Sequence, residues 1–365
     1  MEKVVRKVNK KRIIVLIISL LVVIGLLAFL IINSTSKKDD SKEGKENNNT
    51  EEKVDNKEED NTKEEPAKEK VDIIDINSKT RPFAVSINNT PVAVKVQEGL
   101  NKAYIVYEIP TEGSTSRLLA LFKDTNGVKT GTIRSARHNF LDFAYESDAI
   151  FVAYGWSHYA EDEMKKGIIN YVQGIVGEGG MWRENPEKLA TEHTVYANLD
   201  TVAKYAYDKK KYKKESDNTI LLKYNVGDVD LSTKENAQKA NKVTIPYGSV
   251  TTVFQYDENT KMYTRIVNNT VAKDHETKEA FTTKNIIVER LTYNVTDDNY
   301  YWNLHTTGTG EGYFITNGYA VPIKWSKKDR KSKTVYTYTN GEEIEVSDGR
   351  TYIEVQVTGK KTTLE

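Results

Sequence analysis

No cysteine occurs among the 365 residues. That absence excludes structural disulfides, thiolate metal sites, a cysteine nucleophile and attachment through an acylated lipobox cysteine. An exported protein without disulfides depends on its core, which points to a bacterial envelope rather than a eukaryotic secretory route. Net charge is absent too, since 53 Lys and Arg balance 53 Asp and Glu. Residues 71–365 alone carry 38 bases against 39 acids, which leaves no electrostatic footprint for nucleic acid. His138, His158, His193, His275 and His305 form no H-E-x-x-H pair and no close ligand spacing. No metal or other cofactor is therefore expected. The glycine-rich GIVGEGG is not followed by GK[ST], and Ser114 and Ser135 lack a G-x-S-x-G setting, so neither a phosphate loop nor a serine hydrolase is indicated.

What is present begins with IIVLIISLLVVIGLLAFLII at residues 13–32, interrupted only by Ser19 and Gly25. Its length is that of one helical crossing of a bilayer. Residues 1–12 hold six bases and one acid, so the positive-inside bias keeps this tail cytoplasmic and sends the rest of the chain outward. The competing reading is a cleaved signal peptide, but its apolar core would span about 7 to 15 residues before a small-residue cleavage site. INSTSKK supplies no such site. Residues 33–70 form a linker whose charged run, 37–70, has 13 acids, nine lysines and only Val54 and Ala67 as apolar residues. Such a stretch cannot bury enough surface to order itself. It reads as a solvated tether of roughly 30 Å mean span and roughly 115 Å reach, with a charged ligand patch as the alternative.

The remaining residues are expected to fold as α+β in two domains: a mixed N-terminal domain at 71–215 and a predominantly antiparallel β domain at 244–365. The charge-rich segment 216–243 separates them, and the length suffices for two cores. RPFAVSINN and YIVYEI read as strands, and Asn126-Gly127 between RLLALFK and VKTGTI signals a hairpin. Ala136, Phe140, Leu141 and Ala144 recur at helical spacing with Ser135 as N-cap, DAIFVAYG returns to strand, and further helices are expected near 159–166 and 200–211. From Thr244 onward turn signals recur about every ten residues, which suits an antiparallel sheet or small sandwich. The 22 tyrosines suit half-buried sheet positions or sugar stacking.

Three constellations could carry chemistry. GTIRSARHNFLDFA sets Arg134 and Arg137 three apart where a helix is expected to begin, so that two guanidinium forks could converge on a carboxylate or phosphate. The bland alternative pairs them with Glu108, Glu112 or Asp142. YEIPTEGSTSR sets Glu108 and Glu112 four apart ahead of Arg117. Two carboxylates could share acid and base work in glycoside hydrolysis if their environments differ, or could be salt-bridged to the arginines. MWRENPEKLATEHTVYAN gathers Trp182, Arg183, His193 and Tyr196, where His193 is a base, a ligand or a hydrogen-bonded structural residue.

The ordered series RPFAVSINN, GLNKAYIVYE, EGSTSRLLALF, GTIRSARHNFLD and EHTVYAN, followed by YDENTKMYTRIV, KDHETKEAFTTKNIIV and GYFITNGYAVPIKW, resembles the YerB-like family of bacterial extracytoplasmic proteins. The resemblance covers about Arg81 to Val357. It implies an envelope location, usually as a lipoprotein, and a paired N- and C-terminal domain of unknown function. The family's arginine-serine-alanine-arginine motif falls on Arg134, Ser135, Ala136 and Arg137, its glutamate-glycine and following arginine on Glu112, Gly113 and Arg117, and its histidine-x-x-tyrosine on His193 and Tyr196. Two of the family's histidine positions hold Thr90 and Tyr154 here, and a transmembrane anchor replaces the lipobox. The expectation is a single-pass membrane protein whose ectodomain binds peptidoglycan, another wall polymer or a wall-synthesis protein in a cleft containing Glu112, Arg134, Arg137 and His193. The rivals are a wall hydrolase using Glu108 or Glu112 and a structural assembly factor acting through the C-terminal sheet.

Overall fold

The computed structural model describes residues 70–365, apart from Pro186 and Asn299. The expected anchor at 13–32 and nearly all of the linker lie outside the described residues. Among those described, no helix is long and apolar enough to cross a membrane. The N-terminal half runs β1 (Phe83–Asn88), β2 (Ile105–Thr111), β3 (Thr115–Phe122), β4 (Lys129–Gly131), α1 (His138–Tyr145), β5 (Ile150–Ala153), α2 (His158–Lys165), β6 (Tyr171–Gln173), β7 (Trp182–Arg183), β8 (Val195–Asn198) and α3 (Leu199–Asp208). The C-terminal half continues with β9 (Gln238–Lys239), β10 (Lys242–Pro246), β11 (Thr251–Asp257), β12 (Met262–Val267), β13 (Thr270–Val271), β14 (Thr282–Thr283) and β15 (Asn285–Leu291). It ends with β16 (Tyr293–Val295), β17 (Trp302–Leu304), β18 (Gly308–Thr316), β19 (Tyr319–Lys327), β20 (Val335–Tyr338), β21 (Thr351–Val357) and β22 (Thr363–Leu364).

The helix-bearing half and the strand-only half have the expected textures, but the sheet does not divide where the sequence changes character. One 11-stranded sheet runs β20-β19-β18-β15-β21-β2-β3-β1-β5-β6, with β9 added on β19. At its seam β21 lies parallel to both β15 and β2, Tyr107 opposite Ile353 and Ile287 opposite Ile353 on the other side. β1, β2 and β21 are buried along their whole length, as strands covered on both faces must be. Alternation then assigns each residue to a face. Tyr107, Leu119, Phe151 and Ile353 join α1 and α2 in one core. Val106, Leu118, Val152 and Tyr352 join α3 and a six-stranded sheet built around β10, β11 and β12 in the other. Two cores exist, and the central sheet separates them.

Two local expectations are corrected. RLLALFK and VKTGTI do not pair, because both edges of β3 are already taken by β1 and β2, and β4 leaves to pair with β8. The hairpin partner of β3 is β2, joined through Glu112-Gly113-Ser114, where Gly113 at φ 72° and Ser114 at φ 58° make the reversal. Ser135 is not a helix cap. α1 begins after Arg137, and residues 134–136 are laid between the diverging ends of β1 and β5: Arg134 N–H donates to Ser86 O, and Tyr154 N–H donates to Arg134 O.

Candidate anion-binding site

The register of the parallel strands places the candidate residues at one edge. β1, β2 and β5 all end there, so Asn88, Glu112, the 134–137 segment and Tyr154 are neighbours at the carboxyl edge of the sheet, the usual place for a ligand site in such sheets. Glu112 sits at the tip of the β2–β3 hairpin. Its carboxylate accepts from Arg137 Nε at 3.0 and 2.9 Å, from Arg137 Nη2, and from Arg117 Nη2 at 3.3 Å. Arg117 Nη1 donates to Ser135 O at 2.8 Å, and the Ser135 hydroxyl donates to Tyr154 O at 3.3 Å. Arg137 also lies over the ring of Tyr301, 5.3 Å from its centre.

Arg134 stands beside this knot. Its Nη1 donates to Glu192 O at 3.1 Å, while its Nε is buried without a partner. Asn88 Nδ2 donates to that same carbonyl and to His193 Nδ1 at 2.7 Å. Asn88 Oδ1 accepts from Thr90 N–H, which fixes the amide and makes His193 Nδ1 an acceptor, leaving its proton on Nε2. Burial holds His193 below its ordinary value, with Glu192 opposing and Arg134 assisting, so the ring is neutral. Arg183 is more remote: exposed, it lies over the Tyr154 ring at 4.9 Å and donates to Thr194 Oγ1 at 3.1 Å. Tyr196 is outside the group. It is 1% exposed, donates to Val96 O at 3.0 Å and packs so tightly on Gly131 that a Cβ there would lie 2.4 Å from its ring.

Two guanidinium groups therefore share the Glu112 carboxylate, and a third, Arg134, stands nearby under the charge of Glu192. Burial raises the Glu112 carboxyl, but the hydrogen bond and charge of Arg137, joined by Arg117, outweigh it and hold Glu112 below its ordinary value. That is the direction opposite to the one a general acid needs. Burial and the like charge of Arg137 push Arg117 down to about 9, which still leaves it protonated at neutral pH. Glu108 is withdrawn altogether, fully buried on the other face and paired with Arg265 at 2.9 Å. The two glutamates do not face a common cleft. Among the described residues, no three His, Asp or Glu side chains cluster as a metal site would require.

Sequence reasoning gave no site role to Asn88, Tyr154 and Tyr301, which orient or stack on the candidates. INN marked Asn88 only as a strand residue, Tyr154 was noted only as standing at a family histidine position, and Tyr301 comes from a hairpin 164 positions beyond Arg137, so no local pattern announced it.

Residues 71–213 match the family described as "Protein of unknown function (DUF3048) N-terminal domain", and residues 243–353 match its C-terminal domain. The chain belongs to this YerB-like family. It is 28% identical over 278 residues to the Bacillus subtilis (strain 168) protein described as "Putative lipoprotein YerB", covering 75% of this chain and 78% of that one. The crystal structure of YerB from Bacillus subtilis superposes with a TM-score of 0.67 at 25% identity, over 78% of this chain and 94% of that chain. The chain thus shares its overall fold with that crystal structure.

Proposed function

We propose that this YerB-like protein is exported, held at the membrane through residues 13–32, and binds an anionic cell-envelope polymer at the Arg117–Arg134–Arg137 cluster. The observation that carries this reading is the excess of guanidinium over inward carboxylate at the carboxyl edge, with Arg134 Nε left unpartnered. A carboxylate or phosphate entering there would meet planar forks already oriented by Glu112, Ser135 O and Glu192 O. The description of the Bacillus subtilis relative as a lipoprotein supports an outward-facing, membrane-held location by another means of attachment.

Binding is tested with the full chain in detergent micelles and purified cell wall. Arg137→Lys keeps the charge but loses the fork, and should weaken retention about tenfold, or about 1.4 kcal/mol. Equal retention by Arg137→Lys and by Arg134→Ala would return both arginines to a scaffolding role. Location is tested by protease added to intact protoplasts, which should cut first between Lys37 and Lys70. Mature protein released without protease would overturn the anchor.

A further inference from the structure

A cleft of 810 Å³ opens beside the arginine cluster but is not part of it. His138 and Asp142 of α1 and Tyr159 and Glu163 of α2 form one wall, and Asn303 to Thr309 form the other. Asn139 ties the walls together, donating to Trp302 O at 2.6 Å and accepting from Leu304 N–H at 3.1 Å. The charges of Arg330, Lys166, Asp142 and Glu163 satisfy one another. Arg330 Nε donates to Asp142 at 2.6 Å and its Nη1 to Glu163 at 2.7 Å, Lys166 donates to Glu163 at 2.6 Å, and the Thr306 hydroxyl donates to Asp142 at 2.7 Å. Such a cleft has little use for a charged ligand, since binding one would break existing pairs. What it leaves open is the exposed Asp162 at the rim and the Tyr159 ring, which lies 5.5 Å from the His138 imidazole.

We propose that this cleft binds a neutral oligosaccharide. Its volume falls within the range of about 300 to 1,000 Å³ usual for small-molecule sites, but its lining is polar where those are mostly apolar. A ligand covered with hydroxyl groups, with apolar C–H faces between them, answers both features. The hydroxyls meet the carboxylate and threonine oxygens of the walls, and a ring face lies on Tyr159. Beyond the cleft, the β16–β17 hairpin carries an aromatic shelf that would seat further sugar rings. Tyr293 stacks on Trp302 with ring centres 4.7 Å apart and planes at 26°, and Tyr300 is 58% exposed. Tyr301 joins the two regions, edge-on to Tyr159 at 5.8 Å and under Arg137 at 5.3 Å. The inference stands apart from the anion-binding reading, because the ligand it names carries no charge.

The test titrates the full chain in detergent micelles with the uncharged tetramer of N-acetylglucosamine, and in parallel with a glucose tetramer, by calorimetry. Saturable binding of either is expected, weakened about tenfold or more by Tyr159→Ala and within about twofold of wild type in Tyr159→Phe, which keeps the ring and reports that the site still folds. Arg137→Lys should leave it unchanged, so failure here and failure of the arginine site are separable. No saturable binding of either tetramer at millimolar concentration would overturn the proposal. So would binding untouched by Tyr159→Ala, or lost equally in Tyr159→Phe.

Discussion

Glu108 and Glu112 stand four residues apart on one strand and its hairpin turn, yet the fold gives them opposite surroundings. Glu108 is fully buried between the central sheet and the six-stranded sheet, where it accepts from Asn89 at 2.9 Å, Ser116 at 2.7 Å, Thr252 at 2.8 Å and Arg265 at 2.9 Å. Its neighbour in the parallel register is Glu354, which accepts from the Tyr247 hydroxyl at 2.7 Å. Burial and the charge of Glu108 hold Glu354 well above its ordinary value, which favours its neutral form. Glu112 is about 10% exposed and is paired with two guanidiniums, those of Arg117 and Arg137. The first is one guanidinium paired with one buried acid beside a second acid, and the second is one acid paired with two guanidiniums. Closed balance favours structure, whereas unbalanced positive charge at an edge favours a ligand.

That contrast can be broken by substitution. The largest effect is expected from Glu108→Gln, which removes the carboxylate hydrogen-bonded to the buried Arg265, whose Nε and Nη1 already lack partners. A loss of about 3 to 5 kcal/mol in denaturant unfolding is expected. A loss below about 1 kcal/mol would show that the buried pair does not hold the two layers together.

Glu112→Gln should cost less, about 1 to 3 kcal/mol, because the arginines it releases can turn toward water. The folded-state value of Glu112 is depressed, so its contribution is present above the ordinary value of 4.5 and is lost as pH falls through the folded value. The variant should therefore lack part of the acid-side loss of stability. The same change should tighten binding of anionic wall polymer, since it removes the competing carboxylate. Weaker binding by a folded Glu112→Gln would mean that the carboxylate itself contacts the ligand.

The smallest effect at neutral pH is expected from Glu354→Gln, below about 1 kcal/mol, because an amide resembles the neutral acid and can still accept from Tyr247. Its signature is in the pH profile. The folded value of Glu354 is raised, so its contribution is complete below 4.5 and is lost as pH rises through the folded value. Glu354→Gln should flatten the fall of stability toward alkaline pH, measured as unfolding free energy across a pH series. An unchanged slope would place the alkaline-sensitive group elsewhere.

Much of the fold was legible because the pattern is local. Continuous apolar runs such as FAVSIN became strands buried on both faces, and helices at 158–165 and 199–208 lie where they were expected. The Asn-Gly signal misled because a turn sequence permits a hairpin without supplying a free strand edge, and β3 had none. Ser135 had the chemistry of a cap, but the backbone bonds of 134–136 were claimed by Ser86, Tyr154 and Gly155. Of the candidate site, Glu112, Arg117, Ser135 and Arg137 were named and are found together. Tyr196 was named and faces the interior, because strand alternation after His193 turns it toward Val96.

By itself the sequence determined which segments could be strand or helix, that no disulfide or thiolate would hold them, and that arginines and one glutamate were available near a turn. These are properties of composition and short-range periodicity, with partners a few residues apart. Only the tertiary structure decided that β21 would pair with β2 and join both halves in one sheet, that Glu108 would meet Arg265 across 157 positions, and that Tyr301 would lie against Arg137. Such pairings are set by which sheet edges remain open and which faces must be covered once the layers pack. Those conditions exist only in the assembled fold.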